Sequence, residues 1–161
     1  MDFSTASLIV DFGLVILIWM VQLIVYPSFL YYDAKALIIW HTKYTPRITS
    51  VVAPLMLAQL GLSIYGLYQG ITLSAIIYAL LVISMWLMTF RIFIPLHEKI
   101  QRGFATAEVL QKLVRINWYR TAVWTASHEE ICAFLLTRSE AAPKDLPGRF
   151  QPHRHPIRSS R

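Results

Sequence analysis

Three long apolar runs constrain this chain more than any other feature. Residues 8–30 carry one charged side chain, Asp11, and residues 48–68 and 71–90 carry none. At a rise of about 1.5 Å per residue, a helix over any of these runs would cross a hydrocarbon core of about 30 Å. Core helices of soluble proteins are interrupted by polar residues at shorter intervals. We therefore predict an integral membrane protein.

The composition agrees with that prediction and excludes several other classes. Of the 161 residues, 56% are hydrophobic and 15% are charged, and the mean hydropathy is +0.50. A single cysteine, Cys132, excludes a disulfide framework and any metal centre built on several thiolates. The net charge of +6 comes largely from basic residues in the last segment and beside the apolar runs, where they anchor spans to lipid headgroups. We therefore expect the lipid bilayer as partner and no nucleic acid.

Proline and glycine divide the chain between these runs. Residues 31–47 mix apolar and charged positions, which indicates a short interfacial helix that Pro46 should end. Pro27 should bend the last turns of the first helix. Gln69 and Gly70 form so short a link that the second and third spans should be an antiparallel hairpin.

The fourth segment, residues 113–136, has the length of a span but carries several charged or titratable side chains. With three spans, all fifteen Lys and Arg would lie on one side of the membrane, as the positive-inside rule prefers. With four spans the bias is weak. The Pro- and Arg-rich tail, residues 139–161, is typical of disorder, or of a segment that docks on a partner or on anionic lipid.

The spacing of polar residues favours four spans. Asn117, Arg120, Trp124 and His128 recur at helical spacing, and so do Gln22 and Tyr26 in the first run. Polar stripes on membrane helices face the interior of a bundle, because a polar group facing lipid is costly. We predict an all-α integral membrane four-helix bundle, with spans near residues 8–30, 48–68, 71–90 and 113–136 and an interfacial helix between the first two.

Alternating spans bring many polar side chains to one membrane face and almost none to the other. At that face we predict a small-molecule pocket, with His41 and His97 as candidate catalytic acids or bases, since histidine titrates near neutral pH. The candidate ligand-binding residues are Gln22, Tyr26, Tyr44, Arg47, Arg91, Glu98, Asn117, Arg120 and Trp124. Arg47 and Arg91 have an alternative reading as anchors at span ends.

No standard catalytic motif or metal site is present in the sequence. His41 and His97 come from different segments, so they are candidates for axial haem ligation, but their spacing does not establish it. A bound quinone is equally compatible, and the sequence requires no cofactor.

Four stretches carry a family resemblance: residues 25–29 (VYPSF), 40–49 (WHTKYTPRIT), 94–99 (IPLHEK) and 113–125 (LVRINWYRTAVWT). They resemble small four-helix bacterial membrane proteins similar to the anthrone-oxygenase-like family. The resemblance implies four spans, with Asn117, Trp118, Arg120 and Trp124 opening the last. For the enzymes of that family it implies cofactor-independent oxygenation of an electron-rich polycyclic phenol. His128, Glu129 and Glu130 depart from it, since an apolar continuation is expected there.

Two functions follow as hypotheses. The first is a protein of the bacterial inner membrane that binds an aromatic or quinone-like molecule at the polar face, with oxygenase or redox chemistry. The second is a non-catalytic accessory subunit whose polar stripe is structural and whose basic tail docks on a membrane-complex partner or on anionic lipid.

Overall fold

The computed structural model describes residues 3–141, with side chains through Glu129 and at Cys132. Over that part the chain is helical and contains no β-strand, which confirms the predicted all-α class. There are four long helices: α1 (Phe3–Tyr31), α2 (Ala34–Gln69), α3 (Leu73–Gln101) and α4 (Ala107–Ala141). By length and composition, α1, α2 and α3 are able to cross a membrane.

Local capping explains where the helices begin. Asp33 precedes α2, and its Oδ1 accepts hydrogen bonds from the backbone N–H groups of Lys35 and Ala36. Thr72 caps α3 in the same way, because its Oγ1 accepts from the N–H of Ala75 at 3.2 Å. Before α4, Gly103 has a φ of 87°, which favours glycine. These short links make successive helices neighbours, and the predicted turn between α2 and α3 is present at Gly70.

Helix α2 corrects one prediction. A separate interfacial helix ending at Pro46 is wrong, because α2 runs without interruption through both Pro46 and Pro54. Proline removes one backbone hydrogen bond, here to the carbonyl of Thr42. Pro46 and Thr42 are both exposed, so the ring and the freed carbonyl point away from the packed side of the helix. Packing on either side of the proline then keeps the helix continuous, with Leu37 buried before it and Met56 after it.

Two π-helical turns interrupt the other apolar helices at matching places. One spans Val21–Val25 in α1, just before Pro27, and the other spans Thr89–Phe93 in α3, just before Pro95. A proline cannot donate to the carbonyl four residues earlier, and a wider turn gives such carbonyls other partners. The structural change that was expected at Pro27 therefore takes the form of a π turn in the residues before it.

The helices pack so that α1 contacts α2 and α4, and α3 also contacts α2 and α4. The shared core includes Leu14, Phe29, Met85, Ile100 and Leu113, each at most 1% exposed. Many polar side chains lie inside with them: Ser7, Asp11, Gln22, His41, Gln59, Ser63, Asn117, Arg120, Thr121 and Ser127. The outward surface carries large apolar side chains instead, among them Ile9, Phe12, Leu23, Ile24, Leu57, Ile64, Leu80 and Phe90.

Candidate ligand-binding site

Two histidines from different helices face each other inside the protein. Nε2 of His41 on α2 lies 2.8 Å from Nδ1 of His97 on α3. His41 is fully buried, and the two rings are stacked with centroids 5.0 Å apart. At this distance one nitrogen carries the proton and the other accepts it, so the two imidazoles do not both carry a positive charge.

Tyr26 and Thr45 extend this contact at both ends. The hydroxyl of Tyr26 on α1 lies 3.0 Å from Nε2 of His97, and Oγ1 of Thr45 lies 3.4 Å from Nδ1 and 3.3 Å from Nε2 of His41. The four side chains form the hydrogen-bonded row Tyr26, His97, His41, Thr45, which we call the histidine row. Since each imidazole donates through one nitrogen and accepts through the other, the protons between Tyr26, His97 and His41 can all point toward His41 or all toward Tyr26.

Arg120 of α4 lies beside the row and is only 7% exposed. Its guanidinium carbon is 4.2 Å from the ring centre of Phe93 and 4.7 Å from that of Trp124, which are cation–π distances. Nε of Arg120 has no hydrogen-bond partner among the described residues. Asp11, the buried carboxylate of that part of the chain, pairs with other groups. Arg120 is therefore a buried cation held by aromatic rings.

A cavity of about 410 Å³ opens between α2 and α3 and reaches these polar groups. Its wall is mostly apolar, with Ile48, Val52, Met56, Phe90 and Phe93 among the lining residues. Its polar lining comes from Tyr26, Tyr44, Thr45, Thr49, Trp86, Thr89, His97, Glu98, Gln101, Arg120 and Trp124. The lining extends along α2 from Tyr44 to Met56, about 18 Å of helix. The cavity is thus a slot with one polar end.

The π turn of α3 places this polar end. It ends at Phe93, and one helical turn later comes His97. Tyr26 directly follows the π turn of α1, and its ring stacks on Phe93 with centroids 6.5 Å apart. Since π turns rotate the residues that follow them, both helices turn their polar residues toward each other at the same level.

The predicted site residues divide into three groups. Tyr26, Tyr44, His97, Glu98, Arg120 and Trp124 line the cavity, and His41 lies behind His97. Gln22 and Asn117 pair with each other, since Nδ2 of Asn117 donates to Oε1 of Gln22 at 2.9 Å, and neither lines the cavity. Arg47 and Arg91 are exposed and do not line it either, which favours their reading as anchors.

A second polar cluster lies toward the other end of the helices, where the sequence predicted almost nothing polar. That expectation is wrong. Asp11 of α1 accepts hydrogen bonds from Nε2 of Gln59 on α2 and from the hydroxyl of Tyr78 on α3, the latter at 2.8 Å. Nε1 of Trp124 on α4 donates to Oε1 of Gln59 at 3.3 Å. We call these four side chains, one from each helix, the Asp11 cluster.

The sequence held a signal for this cluster. Asp11 and Gln59 are isolated, strongly polar residues inside otherwise apolar runs. Such residues need a buried polar partner, so the sequence makes Asp11 and Gln59 candidates to pair with each other. Spacing within one helix does not reveal a pair of this kind, because each helix contributes only one member. Thr45 and Trp86, which also line the cavity, carried no comparable signal.

The geometry does not fit the haem considered from the sequence. His41 and His97 hydrogen-bond directly to each other at 2.8 Å, whereas two axial ligands lie on opposite sides of an iron atom with Fe–N bonds of about 2 Å. The other nitrogen of His97 faces Tyr26. Among the described residues no group of three or more His, Cys, Asp or Glu side chains is placed to hold a metal ion. A quinone needs no such ligands.

Comparison with family models, curated proteins and solved structures gives no match to this chain. The accessory-subunit hypothesis depends on the basic tail, and from residue 142 onward that tail lies outside the described residues. Residues 139–141 belong to α4.

Proposed function

We propose that the protein is an integral four-helix bundle of the bacterial inner membrane that holds an aromatic or quinone-like molecule in the slot between α2 and α3. The membrane part of the proposal is supported by the distribution of side chains. Large apolar residues cover the outside, and the polar ones lie inside, the reverse of a soluble fold. The exposed Trp40, Trp118 and Tyr119 suit an interfacial aromatic belt.

The proposal includes α4 as the fourth span. Its difficulty is the charge of Arg120, which costs about 2.5–3.5 kcal/mol at mid-membrane on insertion scales. Arg120 points away from the outside and into the cavity, where aromatic rings cover it. Asn117 and Thr121 are also buried against the other helices, at most 1% exposed. These members of the polar stripe, whose spacing favoured four spans, therefore avoid contact with lipid.

One observation carries the binding proposal: a mostly apolar slot ends on Tyr26, His97 and Arg120. Ligand sites are typically apolar cavities of about 300–1,000 Å³ with a few convergent polar groups, and this slot of about 410 Å³ has that construction. A flat aromatic body fits between α2 and α3, and an oxygen at its end meets the donors of Arg120 and Tyr26.

The proposal extends to oxygenase or redox chemistry on an electron-rich phenol or quinol, which the family resemblance implies. Tyr26 would take the ligand's hydroxyl proton as it passes its own to Nε2 of His97, and the proton can then move along the histidine row to His41. The check is oxygen uptake with a hydroxyanthrone as substrate. We expect His97→Gln to abolish protein-dependent uptake, and equal uptake with and without protein would remove the catalytic part of the proposal.

Binding is tested by tryptophan fluorescence of the purified protein in detergent. Trp86 and Trp124 line the slot, whereas Trp19, Trp40 and Trp118 do not. Anthraquinone-2-carboxamide, an inert aromatic quinone, should quench the fluorescence saturably in the wild type. Replacing both slot tryptophans by phenylalanine should remove the saturable part.

A matched pair of variants places the binding in the slot. Ala53 lines it, and Ala58 on the same helix is exposed. Ala53→Phe should fill the slot and weaken binding by about tenfold or more, and Ala58→Phe should leave it unchanged. Equal binding by the two variants, or no saturable quenching in the wild type, contradicts the proposal.

A further inference from the structure

The polar end of the slot holds a charge that the described residues do not balance. Arginine stays protonated in proteins, so Arg120 brings a full positive charge into the interior. Among the described residues the salt bridge is Arg102 with Glu98, at 3.4 Å, and Arg120 has no carboxylate within salt-bridge distance. Buried charges are ordinarily paired, because an unpaired one keeps the full cost of leaving water.

The ionisable neighbours of Arg120 do not supply the missing charge. Tyr26, Tyr44 and His97 surround it, and their neutral forms bring no negative charge. The buried carboxylate of the described residues, Asp11, has its oxygens occupied by Gln59 and Tyr78. The acidic side chain at the slot itself, Glu98, is exposed and faces Arg102.

Two donors at the slot also lack acceptors. Nε of Arg120 and Nε1 of Trp86 are buried and have no hydrogen-bond partner in the described part of the chain. Both residues line the slot. Unpartnered buried donors are uncommon in native proteins and call for a specific explanation. A ligand rich in acceptor oxygens provides one.

Resting on the proposed function, we infer that the ligand of this slot is a lipophilic monoanion whose carboxylate pairs with Arg120. The rings of Phe93 and Trp124 cover the guanidinium, and its N–H groups point outward in its own plane. A planar carboxylate matches that arrangement with two parallel hydrogen bonds. The apolar length of the slot takes the aromatic or acyl body of the same molecule. One anion cancels the positive charge of Arg120.

The test compares two probes with the same body, anthraquinone-2-carboxylate and anthraquinone-2-carboxamide, in nanodiscs of phosphatidylcholine. In the wild type we expect the carboxylate to bind about tenfold tighter or more, since hydrogen bonds to charged groups are the stronger ones. Equal affinity, or tighter binding of the carboxamide, overturns the inference and leaves the proposed function in place. If neither probe binds saturably, the proposed function fails as well.

Variants of Arg120 sharpen the result. Arg120→Met should weaken the carboxylate by about tenfold more than it weakens the carboxamide, so that the two probes bind alike. Retained carboxamide binding shows that the slot is intact. Arg120→Lys should retain part of the preference, because it keeps the charge and loses the planar fork. Equal loss of both probes in Arg120→Met contradicts a role in charge recognition.

A lipid phosphate is the other source of an anion in a membrane. Replacing part of the phosphatidylcholine by phosphatidylglycerol distinguishes the two. Phosphatidylglycerol should change the affinity of both the wild type and Arg120→Met for the carboxylate probe. We expect these two changes to differ by less than about threefold. If phosphatidylglycerol displaces the probe from the wild type but not from Arg120→Met, the slot binds a phospholipid headgroup, and the inference of a carboxylate ligand is overturned.

Discussion

The two polar clusters of this protein are built from the same kinds of residue, but only one of them is complete. In the Asp11 cluster the carboxylate has two donors, and both polar ends of Gln59 are used, one by Asp11 and one by Trp124. The region of the histidine row keeps an arginine that has no carboxylate partner among the described residues, and it opens into a slot. A complete network holds helices together, and an incomplete one beside a cavity is suited to a ligand.

Trp124 connects the two regions. Its indole nitrogen donates to Gln59 in the Asp11 cluster, and its ring contacts Arg120 at the slot. The Asp11 cluster therefore also sets the position of the ring on which Arg120 rests. The comparison predicts that changes in the Asp11 cluster affect mainly stability, whereas changes at the slot affect mainly binding.

The largest stability loss is expected for Gln59→Leu. The substitution removes a donor to Asp11, which keeps the hydroxyl of Tyr78, and it leaves the buried Nε1 of Trp124 without its acceptor. We expect a loss of about 3 kcal/mol, or about 6–10 °C in melting temperature. Thermal unfolding in detergent measures it. The control is Leu57→Gln on the outer face of the same helix, and a melting temperature for Gln59→Leu equal to the wild type would contradict the structural role.

Arg120→Met should change stability in the opposite direction. Replacing an unpaired buried charge by an apolar side chain of similar length often stabilises a protein, and the lost cation–π contacts offset part of the gain. We expect the ligand-free variant to gain about 1–2 kcal/mol and to melt a few degrees higher. If it melts lower than the wild type by as much as Gln59→Leu does, Arg120 belongs to the structural network.

His97→Leu should have an intermediate effect. It leaves the hydroxyl of Tyr26 and Nε2 of His41 without their partner, and both residues are buried. We expect a loss of about 1–2 kcal/mol by thermal unfolding. His128→Leu is the matched control, since Nδ1 of His128 has no hydrogen-bond partner among the described residues and its Nε2 has one contact, at 3.6 Å, with Sγ of Cys132. Similar losses in the two variants would mean that the histidine row adds no stability beyond ordinary packing.

The smallest effect is expected for Arg47→Gln and Arg91→Gln. Both arginines were predicted at the pocket from the sequence, but they are exposed and do not line the slot. Probe affinity in detergent should stay within about twofold of the wild type. A tenfold loss of probe affinity in either variant would mean that its arginine belongs to the binding site.

The sequence predicted the elements of the fold better than their details. The all-α class and the buried stripe of α4 followed from apolar run length and from the 3.6-residue period of Asn117, Arg120 and Trp124. The continuity of α2 did not follow, since a local proline rule cannot weigh the packing on both sides of Pro46. The π turns were also missed, because they have no sequence signature apart from a following proline.

The sequence predicted which helix ends meet at the site, but it could not predict which side chains face one another there. The alternation of spans placed Tyr26, His41, His97 and Arg120 at one end, and the structure brings them together. Alternation gives the end of a helix but not its rotation, so Gln22 and Asn117 were assigned to the pocket although they pair with each other. The Asp11 cluster was missed because its members lie on four different helices.

The division between the two regions is tested most directly by probe-induced shifts of melting temperature in two variants. Tyr78→Phe removes one donor to Asp11, and Ala53→Phe fills the slot. With anthraquinone-2-carboxylate at about 100 times its Kd, binding raises the free energy of unfolding by about 2.7 kcal/mol. We predict that Tyr78→Phe melts lower than the wild type but keeps the full shift, and that Ala53→Phe loses the shift. A shift lost in Tyr78→Phe and kept in Ala53→Phe would contradict the account.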